Sequence, residues 1–229
     1  PYVRKAMSRF LFQHPTTIVL AGPTQCGKTY FLIRAIREEL FKPEPQRIVW
    51  VFSEMQSAYA DLARDLPSIE FVKGFTSELY ETFDPRVRNL LVLDDQMENK
   101  AAHKRGDNDA TKYFTQGSHH RNLTVVYVVQ NLFNQDASMR TISLNTHYMV
   151  LFKNPRDATQ IRTLSQQMYP DHRRMLVEAY QDATFQPYGY LVLNLRPDAC
   201  DAFRILTDVF ADRPAVYVPR DTLDKAQRL

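Results

Sequence analysis

The sequence predicts an α/β protein built on a mainly parallel central sheet, and two observations lead to this fold class. Short apolar runs alternate with amphipathic segments of helical period along most of the chain, which is the pattern of repeated βαβ units. The apolar runs are also continuous, as residues 125–129 (VVYVV) show, and strands without polar alternation are covered on both faces. We therefore expect three layers, with helices on each side of the sheet.

The individual elements follow from the same periodicities. Apolar, β-rich runs predict strands at residues 16–21, 47–53, 69–72, 90–95, 124–130, 147–153 and 188–195. Segments of helical period predict helices at residues 30–40, 58–66, 77–83, 158–168 and 173–183. The tail after Arg196 is rich in proline and less regular, so we expect a short β extension there. The predicted organisation is a core domain over 1–195 and a C-terminal extension over 196–229, packed on the core or on a neighbouring subunit.

Composition restricts the class of protein. With 229 residues, 44% of them apolar and 24% charged, the chain can bury a full core and has ordinary globular usage. Its net charge of +3 is too small to indicate a nucleic-acid partner by itself. Cys26 and Cys200 are expected to be reduced thiols, because Cys26 lies in the glycine-containing loop at 22–29, where a disulfide would be awkward. No Cys/His spacing resembles a zinc site. No apolar run approaches the ~18 residues of a transmembrane helix, so no membrane partner is expected.

A phosphate-binding loop is the most specific feature of the sequence. Residues 22–29 (GPTQCGKT) match the pattern G-x-x-x-x-G-K-[ST] in full. Gly22 and Gly27 let such a loop wrap tightly, so that its backbone N–H groups point at phosphate oxygens. Lys28 is expected to reach the β- and γ-phosphates, and the hydroxyl of Thr29 to bind Mg²⁺. ATP and Mg²⁺ are the predicted ligands.

The context of this loop is a β-run directly before it and an amphipathic helix directly after it, whose positive N-terminal end favours anions. A plain glycine turn between a strand and a helix is the alternative, but it does not explain the adjacent Lys and Thr at the helix start. The predicted nucleotide-binding residues are Gly22, Pro23, Thr24, Gln25, Cys26, Gly27, Lys28, Thr29 and Tyr30.

An acidic pair follows the predicted strand at 90–95 (LLVLDD). Asp94 is expected to hold Mg²⁺, usually through a water, as the acid of a Walker B strand does. Asp95 is the candidate general base for the attacking water, because the strand tip would bring it within hydrogen-bond reach. A solvated turn that caps the strand is the alternative. An acid directly after the Mg²⁺ acid favours hydrolysis over transfer to another substrate.

A further catalytic candidate, Gln130, ends the apolar strand at 124–130. If this strand lies between the strand before the phosphate loop and the strand of the acids, Gln130 faces the γ-phosphate and senses or orients the attacking water. The alternative is a polar residue that simply ends a strand.

Arg121 lies just before that strand and is the candidate arginine finger for a neighbouring subunit's nucleotide. Arg140 is a second candidate, and a solvated surface arginine is the alternative for both. His119 and His120 have no spaced partners for metal binding, so we expect them to be caps or interface residues.

Together these segments resemble a known superfamily. The segments 21–29 (AGPTQCGKT), 90–99 (LLVLDDQMEN) and 114–133 (FTQGSHHRNLTVVYVVQNLF) look like those of the FtsK–HerA superfamily of P-loop ATPases. The likeness is strongest to viral genome-packaging ATPases of the poxvirus type, including those of Maverick/Polinton elements and adintoviruses. It covers residues 12–154 and is most specific in the GSHHRN block before the strand.

The resemblance implies an additional-strand, RecA/FtsK-like three-layer P-loop core and a homo-oligomeric ring of five or six subunits. It implies translocation of double-stranded DNA into a preformed capsid, with capsid or portal proteins as partners. Localisation is then a nuclear or cytoplasmic assembly site in the host cell, or the virion, and not secretion. One departure is that the second acid is Asp95 where many relatives have Glu. Aspartate is shorter, which bears on the rate more than on the role.

Contact with DNA is predicted for the polar stretch after the acids. A translocase grips DNA through its phosphates, and this stretch supplies positive charge close to the catalytic acids. The predicted DNA-binding residues are Lys100, Lys104, Arg105 and Lys112. A solvated charged loop is the alternative.

Two other functions stay open on the sequence. A helicase or a DNA-partitioning motor of the same superfamily would share the site, although single-strand handling favours stacking aromatics, which residues 100–105 lack. A slow nucleotide-dependent switch or scaffold is the second alternative, and Asp95 argues against it.

Overall fold

The computed structural model describes residues 1–6, 8–55, 57–66, 68–94, 110–117, 120–132 and 137–219. The strands within them are β1 Tyr2–Lys5, β2 Phe12–Gln13, β3 Thr17–Ala21, β4 Phe41–Lys42, β5 Arg47–Phe52, β6 Ile69–Lys73, β7 Asn89–Asp94, β8 Leu123–Val129, β9 Tyr148–Phe152, β10 Tyr190–Asn194, β11 Ile205–Thr207 and β12 Ala215–Val218. The helices are α1 Lys28–Arg37, α2 Ser57–Asp65, α3 Ala110–Lys112, α4 Ala137–Leu144, α5 Thr159–Met168 and α6 Arg173–Ala183.

The described residues form two compact units that interleave along the chain. The first unit takes its residues from 1–10, 21–28 and 148–219, and the second from 11–20 and 29–147. The prediction of a core over 1–195 and an extension over 196–229 is not tested by this division and stays a prediction.

The second unit is built on a parallel sheet with the strand order β3-β8-β7-β5-β6. The strands β8, β7, β5 and β6 pair in parallel, and Asp94 at the end of β7 lies opposite Phe52 and Val128. Every residue of β7 and β8 is buried, which requires cover on both faces of the sheet. The predicted α/β class with a mainly parallel sheet between helical layers is confirmed.

Helix α1 shows how local sequence and packing agree. Its buried side chains recur at helical spacing and include Phe31, Leu32 and Ile36. The helix ends sooner than predicted because Glu39 adopts a left-handed φ of 54°. The N–H of Leu40 then donates to the carbonyl of Ala35, and the N–H of Glu39 to that of Ile36, which is the Schellman arrangement that closes helix ends.

The first unit contains an antiparallel run of strands in the order β1-β12-β11-β10-β9. The expected β extension after Arg196 is present as β11 and β12. Strand β1 has no apolar run because it is an exposed edge strand, so hydrophobic periodicity gave no signal for it. Strand β10 begins later than predicted because Tyr188 has a left-handed φ of 62° and cannot extend the ladder.

Two further differences concern short elements. The short helix predicted at 77–83 is a 3-10 helix over Ser77–Thr82, and α4 was not predicted at all. Short segments of this kind have too few turns for a period to be recognised. No helix of the described part of the chain is long and apolar enough to cross a membrane.

His14 links the start of the second unit to β8. Its Nδ1 lies 2.7 Å from the hydroxyl of Thr124, and its Nε2 lies 3.0 Å from the side-chain oxygen of Asn122. Burial lowers the pKa of His14 from its ordinary value of 6.5, the bond to Asn122 opposes this, and the charge of Arg88 lowers the pKa further. The folded protein therefore favours the neutral imidazole.

This pKa shift predicts a loss of stability in mild acid. As pH falls below about 6.5, the unfolded chain takes up a proton at His14 that the folded chain does not accept, so the free energy of unfolding decreases. Denaturant unfolding at a series of pH values should show this slope, and His14→Gln should reduce it. An equally steep pH dependence in the variant would contradict the prediction.

Candidate nucleotide-binding site

The loop between β3 and α1 begins at a glycine that has no room for a side chain. A Cβ added to Gly22 would lie 2.7 Å from the Cβ of Phe152 and 2.8 Å from the Sγ of Cys26. Real Cβ atoms do not make contacts that short, so the backbone could not keep this position with alanine. The first glycine of the motif thus lets the chain pass closely over the end of β9.

The rest of the loop turns through two left-handed residues. Gln25 has a φ of 64° and Gly27 a φ of 103°, and the N–H of Cys26 bonds the carbonyl of Pro23 over 3.4 Å. Only glycine adopts the conformation of Gly27 without strain. Helix α1 then begins at Lys28, and the N–H groups of its first turn have no acceptor within the helix. This is the arrangement that binds phosphate.

Lys28 bends back over this loop. Its Nζ donates to the carbonyl of Gly22 over 2.5 Å and to that of Pro23 over 2.8 Å, and it lies 3.8 Å from the Sγ of Cys26. The ammonium group is therefore held beside the loop carbonyls. Burial raises the pKa of the Cys26 thiol although Lys28 acts in the opposite direction, so this cysteine stays a protonated thiol.

Three residues distant in sequence support the loop within the first unit. Besides Phe152, the ring of Tyr188 lies 3.3 Å from the position of a Cβ on Gly27. The hydroxyl of Tyr180 donates to the carbonyl of Phe152 and accepts from the N–H of Asn154, both over 2.8 Å. Sequence reasoning missed these residues because nothing in their local pattern connects them with residues 22–29.

Asp94 is the last residue of β7 and is only 4% exposed. Its Oδ2 accepts a hydrogen bond of 2.8 Å from the hydroxyl of Tyr59 on α2. A buried carboxylate needs such a donor, because an unpaired charge in the interior is very costly. Sequence reasoning predicted the acid and missed the tyrosine that holds it.

The strand order required for Gln130 is confirmed. Strand β8 lies between β3 and β7, and the N–H of Val125 bonds the carbonyl of Thr16 over 2.9 Å, so the amino ends of β3 and β8 lie together. Gln130 directly follows the last residue of β8 and is exposed. It therefore lies at the same edge of the sheet as Asp94. Its role as sensor stays a prediction.

The residues predicted to hold Mg²⁺ carry oxygen donors. The described residues contain no group of three or more His, Cys, Asp or Glu side chains suited to a metal ion. Mg²⁺ is usually bound by one or two protein oxygens together with substrate phosphates and water. The hydroxyl of Thr29 and the carboxylate of Asp94 are oxygen ligands of that kind, and both belong to the second unit.

Arg121 lies at the amino end of β8. Its guanidinium bonds the carboxylate of Glu81 and the carbonyl of Phe83 and lies 5.1 Å from the centre of the Tyr80 ring. Lys112 contacts the same glutamate and the same ring as Arg121. Its Nζ lies 3.6 Å from the carboxylate of Glu81 and 4.0 Å from the ring centre of Tyr80. Both predicted roles remain predictions.

Several predicted residues fall outside the described part of the chain. These are Asp95, Lys100, Lys104, Arg105 and His119. Of the remaining candidates, Arg140 lies on α4, and His120 is exposed just before Arg121.

We expect Gly22→Ala to weaken nucleotide binding by about tenfold or more, because the added methyl group displaces the loop from Phe152 and Cys26. Binding of a fluorescent ATP analogue measures this. Gly74→Ala is the control, since Gly74 has a positive φ of 78° but open space around it. That variant should lose some stability and keep nucleotide affinity. Equal affinities of Gly22→Ala and wild type would contradict the prediction.

Comparison with known proteins finds similar solved structures but no match by sequence. No family model and no curated protein matches the sequence. The DNA-packaging ATPase B204 from Sulfolobus turreted icosahedral virus aligns over 89% of this chain and 97% of its own, with a TM-score of 0.50 and 10% identity. The genome-packaging NTPase B204 from Sulfolobus turreted icosahedral virus 2, in complex with ATP-gammaS, aligns over 84% and 95%, with a TM-score of 0.48 and 12% identity. The resemblance to viral packaging ATPases is thus matched by a shared fold, that of a P-loop ATPase.

Proposed function

We propose that this chain is an ATP-hydrolysing motor that translocates double-stranded DNA, in viral genome packaging. The observation that carries the proposal is the loop at 22–28. Gly22 is required there because a Cβ would clash, and Gly27 because of its positive φ. Lys28 is held against the loop carbonyls. A loop that only connected a strand to a helix would need none of these features.

In this proposal, different residues around the loop bind the phosphates, hold Mg²⁺ and activate the attacking water. The N–H groups at the start of α1 and the ammonium of Lys28 bind the phosphates. Thr29 and Asp94 hold Mg²⁺, Asp94 through a water. The bound ion would offset the negative charge of the phosphates. Asp95 takes a proton from the attacking water, and Gln130 orients that water or reports on it.

Arg121 is proposed to act on the nucleotide of a neighbouring subunit. Strand β8 has seven residues and spans roughly 23 Å at about 3.3 Å per residue. Arg121 precedes this strand and Gln130 follows it, so an arginine side chain cannot reach from one end to the other. This geometry supports a role for Arg121 at the nucleotide of a second subunit. In that role Arg121 would leave its ion pair with Glu81 and contact the neighbour's nucleotide.

The proposed partners follow from the motif resemblance and the shared fold. They are double-stranded DNA, further copies of the chain in a ring, and capsid or portal proteins. Lys112, together with Lys100, Lys104 and Arg105, is proposed to contact DNA phosphates. Residues 196–229 are proposed as an extension that packs on the core or on a neighbouring subunit.

We expect the purified chain to hydrolyse ATP and duplex DNA to stimulate the turnover. Lys28→Ala and Asp95→Asn should each lower turnover by about 100-fold or more, since both remove groups that act on the reacting phosphate or water. Lys42→Ala is the matched control, because Lys42 is a surface lysine whose ammonium pairs with Glu39. Turnover that duplex DNA does not change would contradict the motor proposal. Nucleotide binding without turnover at high protein concentration would favour the alternative of a slow nucleotide-dependent switch.

We expect Lys112→Ala to weaken duplex DNA binding and to reduce its salt dependence by about one released counterion. The pairing of Lys112 with Glu81 is no obstacle, because its side chain is 46% exposed and exposed ion pairs are weak. Fluorescence anisotropy of labelled duplex at several salt concentrations measures both quantities. Lys42→Ala again serves as the control. An unchanged affinity and salt slope for Lys112→Ala would remove it from the DNA contact.

A further inference from the structure

Tyr59 lies in a buried aromatic cluster of the second unit. Its ring centre is 5.3 Å from that of Trp50, 5.7 Å from that of Phe52 and 5.5 Å from that of Phe71. The side chain is 1% exposed. Close packing on this scale leaves a tyrosine ring one orientation, so the cluster determines where the hydroxyl points.

The hydroxyl points at the carboxylate of Asp94 and donates to its Oδ2 over 2.8 Å. The two residues are 35 positions apart in the chain, and α2 is the element that brings the hydroxyl to the end of β7. A donor fixed by packing restricts rotation of the carboxylate it bonds. The second oxygen of Asp94, Oδ1, is thereby given a defined direction.

Another tyrosine of the same unit shows that burial alone does not explain this bond. Tyr113 is 2% exposed, and within the described residues its hydroxyl has no hydrogen-bond partner. Burial of a tyrosine hydroxyl in this unit therefore does not by itself bring a hydrogen bond to a carboxylate. The hydroxyl of Tyr59, by contrast, donates to the carboxylate of Asp94 at the end of a fully buried strand.

We propose that Tyr59 is a positioning residue that orients the carboxylate of Asp94 toward Mg²⁺ in the nucleotide complex. The proposal rests on the proposed function, because it assumes that Asp94 serves the metal. Partners that orient a metal ligand typically change metal affinity by about 10- to 100-fold when they are removed. Tyr59 acts through Asp94 and touches neither nucleotide nor water in this role.

The test is Tyr59→Phe, which keeps the ring in its cluster and removes only the hydroxyl. Binding of a fluorescent ATP analogue is titrated with Mg²⁺, and binding of Mn²⁺ in the presence of ADP is followed by the resonance signal of the free ion. We expect the half-saturating concentration of either metal to rise about tenfold. Nucleotide affinity in EDTA should not change, because the loop at 22–28 is untouched.

Two control variants match the chemistry of the substitution. Tyr113→Phe removes a buried hydroxyl that has no partner among the described residues. Tyr217→Phe removes a tyrosine–aspartate hydrogen bond of 2.7 Å to Asp182 in the first unit. Both should keep the wild-type metal dependence. In an Asp94→Asn background, Tyr59→Phe should cause no further change in metal dependence, since the two residues would act as one.

Each outcome decides the matter. A wild-type metal dependence in Tyr59→Phe overturns the inference. A loss of nucleotide affinity in EDTA that is as large as the loss with metal also overturns it, because the hydroxyl would then have a structural role only. Failure of the proposed function looks different: wild type and Lys28→Ala would then bind the nucleotide equally poorly with and without metal.

Discussion

Burial of β7 and β8 on both faces is the constraint on which the chemistry of the second unit depends. Residues 90–93 and 125–129 are apolar or aromatic and are withdrawn from water along their whole length. A strand covered on both sides has no place for an exposed polar group between its ends. The polar side chains that can meet a ligand therefore occur where strands stop, and Asp94 and Gln130 both lie at such stops.

The same constraint explains why Asp94 needs a donor from another element. A carboxylate at the last position of a buried strand has lost most of its water, and the backbone around it is already used in the parallel ladders. Helix α2 supplies one donor through Tyr59. Aromatic packing against Trp50 and Phe71 holds the hydroxyl of Tyr59 in place beside the acid.

In the first unit the limiting factor is space. The chain passes so close to Phe152 that Gly22 cannot carry a methyl group, and Gly27 must take a φ that other residues avoid. These two positions bring the loop carbonyls to the ammonium of Lys28. Glycine loses more conformational freedom on folding than other residues do, and the packing of β9 and of Tyr188 against the loop offsets that cost.

The sequence by itself determined the fold class and the parallel strands, because hydrophobic period is a local property, and its glycine spacing predicted the phosphate loop. Helix α1, strand β7 and strand β8 were predicted close to their observed bounds for that reason. The exposed strand β1, the short helix α4 and the end of α1 at Glu39 lacked a sufficient local signal. Only the tertiary structure decided the partners of each group: Phe152 and Tyr188 around the loop, Tyr59 on Asp94, Glu81 on Arg121. Such contacts join residues far apart in the chain, and no spacing rule encodes them.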